Sequence, residues 1–207
     1  MAKPDKFFDH CCPWWLAYTF DHPLRRLFQQ PEKILAPYLG PGMTALDLGC
    51  GMGFFSIAMA GMVGPEGRVI AVDLQPQMHR VLQKRAARKH LAQRINCVLA
   101  REDDIMVREP VDFILAMWMV HEVRDQERLF EQAIACMKDS SRFLIAEPRM
   151  HVKKKQFEAM LELAQRSGLT VAERARAGLS RAAALKKAAS SRDSTELAEV
   201  RTPEGAE

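Results

Sequence analysis

Residues 47–53 read Asp47-Leu48-Gly49-Cys50-Gly51-Met52-Gly53 and decide the fold of this chain. A short apolar run at residues 44–48 leads into this turn. A segment with helical character follows the turn and extends to about Met62. This order predicts a strand, a glycine-rich turn and a helix. The glycines allow a tight turn and a close approach of the backbone to a ligand, with the amino end of the helix pointing at that ligand.

A second acid, Asp73, ends the next predicted strand. It lies about 20 residues beyond Gly53, the separation expected for a carboxylate that accepts hydrogen bonds from ribose hydroxyls. A dinucleotide-binding turn reads GxGxxG, whereas this turn reads GxGxG and places Phe54 where the third glycine would fall. Asp47 would also put a negative charge near a pyrophosphate. The turn therefore disfavours NAD.

The rest of the chain alternates short apolar runs with longer amphipathic segments, which predicts βαβ units, a parallel sheet and the α/β fold class. Strands are predicted at residues 44–48, 68–73, 94–100, 111–119 and 142–147, with two weaker candidates at 171–174 and 181–186. Helices are predicted over residues 54 to about 62, 76 to about 89, 125–138 and about 153–166.

Three segments resemble the successive motifs of the class I S-adenosylmethionine (SAM)-dependent methyltransferases: residues 45–54, 71–73 and 112–122. The likeness covers about Leu35 to Lys187, and it is greatest to the group that includes ubiquinone/menaquinone-biosynthesis and arsenite methyltransferases. It implies a Rossmann-like fold in which a mostly parallel seven-stranded sheet carries helices on both faces. The last two strands would form its antiparallel edge.

The resemblance also implies SAM as cofactor. The glycine turn would surround its methionine moiety, Asp73 would bind its ribose, and Glu102 or Asp103 would lie near the adenine amine. The full set expected to contact the cofactor is Asp47, Gly49, Cys50, Gly51, Gly53, Asp73, Leu74, Gln75, Glu102, Asp103 and Met117.

Several polar and aromatic side chains follow the fourth and fifth predicted strands, where ligands of open α/β sheets bind. His121 is a candidate general base, because its ordinary pKa of about 6.5 suits proton removal near neutrality. Together with Glu122 it forms the candidate catalytic pair, although both residues could instead cap the next helix or order the loop. Trp118 and Glu147 are candidate acceptor contacts, and Glu147 could alternatively be a solvated strand end.

Residues 1–40 are rich in aromatics and proline and predict helices that cap the active site. Trp14, Trp15 and Tyr18 are candidate acceptor contacts there, or the apolar face of a packing helix. His10, Cys11 and Cys12 have side chains that could bind a soft metal or metalloid. Their arrangement is not the dispersed one of arsenite methyltransferases, so no metal site is predicted. Residues 41–187 would form the cofactor-binding domain, and residues 188–207 have the composition of a disordered tail.

Composition sets further bounds. A formal charge of +4 is modest, so a nucleic-acid partner is not expected. No apolar run reaches the roughly 20 residues that cross a bilayer, and no signal-peptide pattern opens the chain, which predicts a cytoplasmic protein. The odd number of cysteines, five, argues against a disulfide framework, and the lack of a CxxC pair argues against a structural zinc site.

These features together predict a SAM-dependent methyltransferase that acts on a small molecule by in-line displacement, with catalysis coming from alignment and desolvation. Three alternatives stay open: an RNA or protein methyltransferase, a non-catalytic SAM-binding or scaffold protein, and a nucleotide-dependent oxidoreductase. The sequence specifies neither the acceptor atom (oxygen, nitrogen, carbon, sulfur or arsenic) nor the oligomeric state.

Overall fold

The computed structural model describes residues 29–189, in which strands and helices alternate as the sequence predicts. The strands are β1 (Thr44–Leu48), β2 (Arg68–Asp73), β3 (Ile95–Leu99), β4 (Val111–Met117), β5 (Met137–Pro148), β6 (Leu169–Ala175) and β7 (Ser180–Lys187). The helices are α1 (Pro31–Leu35), α2 (Phe54–Met62), α3 (Pro76–Ala87), α4 (Gln126–Cys136) and α5 (Lys154–Arg166). Two 3₁₀ turns, Ala92–Arg94 and Val120–Glu122, join them.

All seven strands form one sheet in the order β3-β2-β1-β4-β5-β7-β6. The five strands from β3 to β5 pair in parallel, whereas β7 pairs antiparallel with both β5 and β6. The predicted Rossmann-like α/β fold, with a mostly parallel seven-stranded sheet, is therefore confirmed. At this edge only β7 runs opposite to the parallel strands, because β6 has the same direction as β5.

Helices cover both faces of the sheet. On one face Leu35, Met59 and Leu82 bring α1, α2 and α3 into the core. On the other face Phe130 of α4 and Phe157 of α5 pack against the central strands. The central strands are buried on both sides, which explains why they read as nearly continuous apolar runs.

The predicted boundaries are wrong at the end of β4 and at the junction between α4 and β5. Strand β4 ends at Met117 rather than at residue 119, because Trp118 takes a left-handed backbone (φ 62°) that ends the extended chain. The helix predicted at 125–138 ends at Cys136, and Met137 already pairs with Val111 as the start of β5, which was predicted to begin at residue 142. The hydroxyl of Ser141 holds this long strand in place by donating to the Val111 carbonyl at 2.6 Å.

The terminal predictions lie largely outside the described residues. Of the predicted N-terminal cap (1–40), only residues 29–40 are described, and α1 there packs into the core with Ile34 and Leu35. Of the predicted tail, only residues 188 and 189 are described. Within residues 29–189, no helix is both long and apolar enough to cross a membrane.

Candidate active site

The glycine turn lies at the carboxyl edge of the sheet, between the ends of β1 and β2. Its start is held by the Cys50 amide, which donates to the Val72 carbonyl at 2.9 Å. The Gly51 amide then donates to Oδ2 of Asp73, also at 2.9 Å. The motif and the second acid, 22 residues apart in sequence, are thus one hydrogen-bonded unit.

Asp73 connects this turn to the start of α3. Its Oδ1 accepts a hydrogen bond from the Gln75 amide at 2.9 Å. Burial raises the pKa of Asp73, although the Gln75 and Gly51 amides and the nearby His79 oppose that change. A carboxylate that is desolvated in the free protein gains from further donors, and ribose hydroxyls are donors of that kind.

The glycines of the turn have different neighbours. A Cβ at Gly53 (φ 85°) would lie 2.6 Å from Cγ of Leu82, so this glycine lets α2 and α3 pack closely. A Cβ at Gly51 (φ 51°) would meet no atom within 4 Å. Gly51 therefore leaves open space at the mouth of the turn, which fits a ligand that lies against the backbone.

Asp47 is nearly fully buried below the turn. Its Oδ2 accepts a hydrogen bond from the Ser56 hydroxyl at 2.5 Å, and both side chains are at most 2% exposed. Ser56 was not expected from the sequence. Its position three residues after Gly53, in the first turn of α2, was the available signal.

Cys50 contributes its backbone to the turn, while its side chain packs in the core with Ala71 and Leu82. Burial, followed by the charges of Asp73 and Asp47, raises the pKa of this thiol well above its usual range. Cys50 is therefore a protonated packing residue and not a nucleophile. The three cysteines in the described part of the chain, Cys50, Cys97 and Cys136, are free thiols.

The predicted adenosine contacts lie beyond the ends of β2 and β3. Leu74 is an exposed apolar side chain at 38% of its surface, which suits a stacked or covered base. Glu102 and Asp103 follow β3 in a turn closed by the Arg101–Asp104 bridge, and both are exposed. The Asp103 carboxylate lies 3.4 Å from the Arg128 guanidinium.

His121 and Glu147 meet at the ends of β4 and β5. His121 Nδ1 lies 2.5 Å from Oε2 of Glu147, and the His121 amide donates to Oε1 of the same carboxylate at 3.3 Å. Glu147 is completely buried, so its interpretation as a solvated strand end is wrong. A carboxylate only accepts hydrogen bonds, so Nδ1 carries the proton and the lone pair of neutral His121 lies on Nε2.

The hydrogen bond that Nδ1 donates to Glu147 is the main reason that the pKa of His121 is raised, and partial burial of the ring opposes this increase. Glu122 is closest to the other ring nitrogen, with Oε1 4.0 Å from Nε2. The ring of His151 lies edge-on to His121, with 6.3 Å between centroids. His151 was not expected from the sequence, because it lies in an irregular loop after β5.

The helix-capping interpretation of His121 and Glu122 is wrong. Asp125 caps α4, because its carboxylate accepts a hydrogen bond from the Arg128 amide at 2.9 Å. His121 and Glu122 instead lie in the 3₁₀ turn between β4 and that helix. The geometry thus leaves them at the carboxyl end of β4, close to the end of β5.

Two further predicted residues lie at the end of β4. Met117 is buried, and its sulfur lies 3.9 Å from Nε2 of Gln29. Trp118 is partly buried, and its indole nitrogen donates to the Ser180 hydroxyl at 2.8 Å. Trp14, Trp15 and Tyr18 lie outside the described residues, as do His10, Cys11 and Cys12. Over residues 29–189 no group of three or more His, Cys, Asp or Glu side chains is arranged to hold a metal ion.

Comparison with known proteins agrees with this geometry. Residues 39–201 match a family model described as a methyltransferase domain. The chain is 30% identical over 110 residues to an arsenite methyltransferase of Halobacterium salinarum, an alignment that covers 53% of this chain and 28% of that protein. It is 26% identical over 141 residues to a ubiquinone biosynthesis O-methyltransferase of Xanthomonas campestris, covering 67% and 57%.

A solved structure of a SAM-dependent methyltransferase from Aquifex aeolicus superimposes on the fold with a TM-score of 0.75 at 22% identity. The superposition covers 86% of this chain and all of that one. This chain spans less than two thirds of the length of each of the two curated relatives.

Proposed function

This chain belongs to the class I SAM-dependent methyltransferases, and on that premise we propose that it transfers the methyl group of SAM to a small-molecule acceptor. The observation that carries the proposal is the unit formed by the glycine turn and Asp73. It joins an open backbone at Gly51 to a desolvated carboxylate at the end of β2.

The residues of this unit fit the cofactor. Asp73 would bind the ribose hydroxyls, the backbone of residues 49–53 would hold the methionine end, and Leu74 would cover the adenine. When bound, SAM supplies an electrophilic methyl group that passes to a lone pair of the acceptor as its bond to sulfur breaks, which leaves S-adenosylhomocysteine. The turn and Asp73 align that group, so much of the rate enhancement comes from positioning.

His121 is the proposed general base for an acceptor that must lose a proton. Its Nε2 takes the proton of a hydroxyl, thiol or amine as the new bond to the methyl carbon forms. Glu147 is a positioning residue, because it holds the ring through Nδ1 and stabilises the imidazolium that results. In this proposal Glu147 acts through His121 rather than contacting the acceptor itself.

A small molecule is favoured over RNA or protein as the acceptor for two reasons. The relatives named for arsenite and for ubiquinone biosynthesis match over 110 and 141 residues, whereas a protein-L-isoaspartate O-methyltransferase matches over only 46 residues. The net charge of +4 is modest for a chain that tracks a phosphate backbone.

The predicted N-terminal cap stays part of the proposal. Gln29, the first described residue, is buried beside Met117 at the end of β4. The chain therefore enters the described fold beside the candidate site. Trp14, Trp15 and Tyr18 are close enough in sequence to contribute to the acceptor pocket from that point.

Calorimetric titration with S-adenosylhomocysteine, with NAD in parallel, tests the proposal. We expect micromolar binding of S-adenosylhomocysteine, no binding of NAD, and loss of binding in Asp73→Ala. Asp139→Ala is the matched control, because Asp139 is fully exposed and pairs only with Lys187 at 3.6 Å. Candidate acceptors (thiols, quinol-like phenols and arsenite) are then each incubated with the protein and SAM, and the S-adenosylhomocysteine formed is measured.

Two results would contradict the proposal. Folded protein that does not bind S-adenosylhomocysteine would remove the cofactor assignment. Binding without turnover of any acceptor, from small molecules to RNA and protein, would instead favour the non-catalytic alternative.

A further inference from the structure

One guanidinium nitrogen of Arg181 is buried without a hydrogen-bond partner. Among residues 29–189, Nη1 of Arg181 and Nε2 of His79 are the two buried side-chain nitrogens in this condition. An unsatisfied buried donor costs free energy, and the cost is larger when the group is charged. Such a group in a native fold calls for a missing partner.

Arg181 lies next to the His121–Glu147 pair. It is the second residue of β7 and the direct antiparallel partner of Glu147 on β5. Residues paired in this way point to the same face of a sheet, with Cβ atoms about 5 Å apart. The Glu147 carboxylate already contacts His121 at both oxygens, and Nη1 of Arg181 makes no hydrogen bond to that acid.

The start of β7 is anchored to the same edge of the site. The Ser180 hydroxyl accepts from the Trp118 indole at 2.8 Å, and the Ser180 carbonyl accepts from Arg149 Nε at 3.0 Å. The residues next to Ser180 and Arg149 in sequence include two exposed apolar side chains: Leu179 is 57% exposed and Met150 is 92% exposed. Arg181 therefore adds a guanidinium at the edge of the sheet where the His121–Glu147 pair lies, and exposed apolar side chains are nearby in the chain.

We propose that Arg181 binds a carboxylate of the methyl acceptor, so that the acceptor is an acid with an apolar body. This inference rests on the proposed function and narrows its acceptor class. A guanidinium matches a carboxylate with two parallel N–H donors, and the charged hydrogen bonds are stronger than neutral ones. A carboxylate bound there satisfies the buried donor and places the rest of the acceptor beside His121.

The test uses two probes with the same ring and different charge: benzoate and benzyl alcohol. Full-length protein labelled with ¹³C-histidine is saturated with S-adenosylhomocysteine, whose binding is checked first by calorimetry. The His121 ring signals are then followed by NMR during titration with each probe. We expect benzoate to shift these signals and to bind at least about tenfold more tightly than benzyl alcohol.

Variants assign that preference to one side chain. Arg181→Gln is expected to bind benzoate no better than benzyl alcohol, while its affinity for S-adenosylhomocysteine stays unchanged. Arg174→Gln is the matched control on the neighbouring strand β6, where Arg174 pairs with Glu158 at the surface, and it should keep the preference. Arg181→Lys keeps the charge and should keep part of the preference, which provides a test if Arg181→Gln does not fold.

The outcomes separate this inference from the proposed function. Failure of S-adenosylhomocysteine to bind overturns both. Normal cofactor binding with equal affinity for the two probes, or with no shift of the His121 signals, overturns the carboxylate inference alone. A preference for benzoate that survives in Arg181→Gln also overturns it.

Discussion

Partly buried His121 and fully buried Glu147 pair across the ends of two neighbouring strands, with 2.5 Å between Nδ1 of the imidazole and Oε2 of the carboxylate. They lie 26 residues apart in sequence. The contact exists because β4 and β5 pair in parallel, which brings their carboxyl ends to the same edge. It gives His121 one defined tautomer, with Nε2 as the basic atom.

Replacing Glu147 should change the pH dependence of methyl transfer. In Glu147→Gln the pKa of His121 falls toward its ordinary value, because the hydrogen bond to the carboxylate is its main cause of increase. In the proposed mechanism neutral His121 is the base, so activity should be lost as pH falls through its pKa. The acid limb of the kcat profile should therefore move to lower pH, and kcat above that limb should fall by about 10- to 100-fold.

Glu122→Gln serves as the comparison for that variant. Glu122 is a smaller contributor to the raised pKa of His121, so its removal should move the acid limb less. NMR titration of the His121 ring measures the same pKa without an acceptor. A pKa of His121 that does not fall in Glu147→Gln would show that the carboxylate does not control the base.

The same pair should make the stability of the protein depend on pH. The pKa of His121 in the folded state is raised above its ordinary value of 6.5. Its contribution to folding is therefore fully present below pH 6.5 and is lost as pH rises through the folded-state pKa. The free energy of unfolding lost in His121→Gln should thus be greater at about pH 5.5 than at about pH 9. Urea unfolding of both proteins at the two pH values measures this, and an equal or reversed difference would contradict it.

Gly51→Ala should impair cofactor binding far more than folding. Gly51 and Gly42 both have positive φ, at 51° and 77°, and both leave open space for a Cβ. Each alanine variant should therefore lose about 1–2 kcal/mol of stability from backbone strain alone. Only Gly51→Ala should lose affinity for S-adenosylhomocysteine, by at least about tenfold, because its new methyl group occupies the open mouth of the turn.

Gly42 is a strict control for this effect, since it lies in the turn before β1 and its amide donates to the Val63 carbonyl at 2.8 Å. Calorimetry for affinity and urea unfolding for stability give the two readouts. Equal losses of affinity in both variants would mean that strain, and not the space at Gly51, governs binding.

Ser56→Ala should destabilise the fold beneath the turn. It removes a donor at 2.5 Å from the buried Asp47 carboxylate, and we expect a loss of about 1–3 kcal/mol in the free energy of unfolding. Ser167→Ala is the control: its hydroxyl donates to the Leu163 carbonyl at the partly buried end of α5, and its loss should cost less than about 0.5 kcal/mol. Equal losses of unfolding free energy in the two variants would show that the hydrogen bond from Ser56 to Asp47 stabilises the fold no more than the bond at the end of α5 does.

The elements around the cofactor could be predicted closely because their signals are local. The segment from Thr44 to Met62 contains a strand, glycines that need positive φ, and a helix, and each follows from neighbouring residues. The boundary errors arose where a distant contact overrides local preference. Met137 reads as the end of a helix but pairs with Val111, which lies 26 residues earlier in the chain.

By itself, the sequence determined the α/β class, the order of strands and helices and the cofactor turn with Asp73. Apolar periodicity and glycine placement are properties of short segments, so they can be recognised without knowing which other segments pack against them. Tertiary structure alone decided that Glu147 is buried against His121, that Ser56 binds Asp47, and that Arg181 faces the same edge as the base. Those relationships depend on which strands pair and in which register, and register is set by packing of the whole sheet.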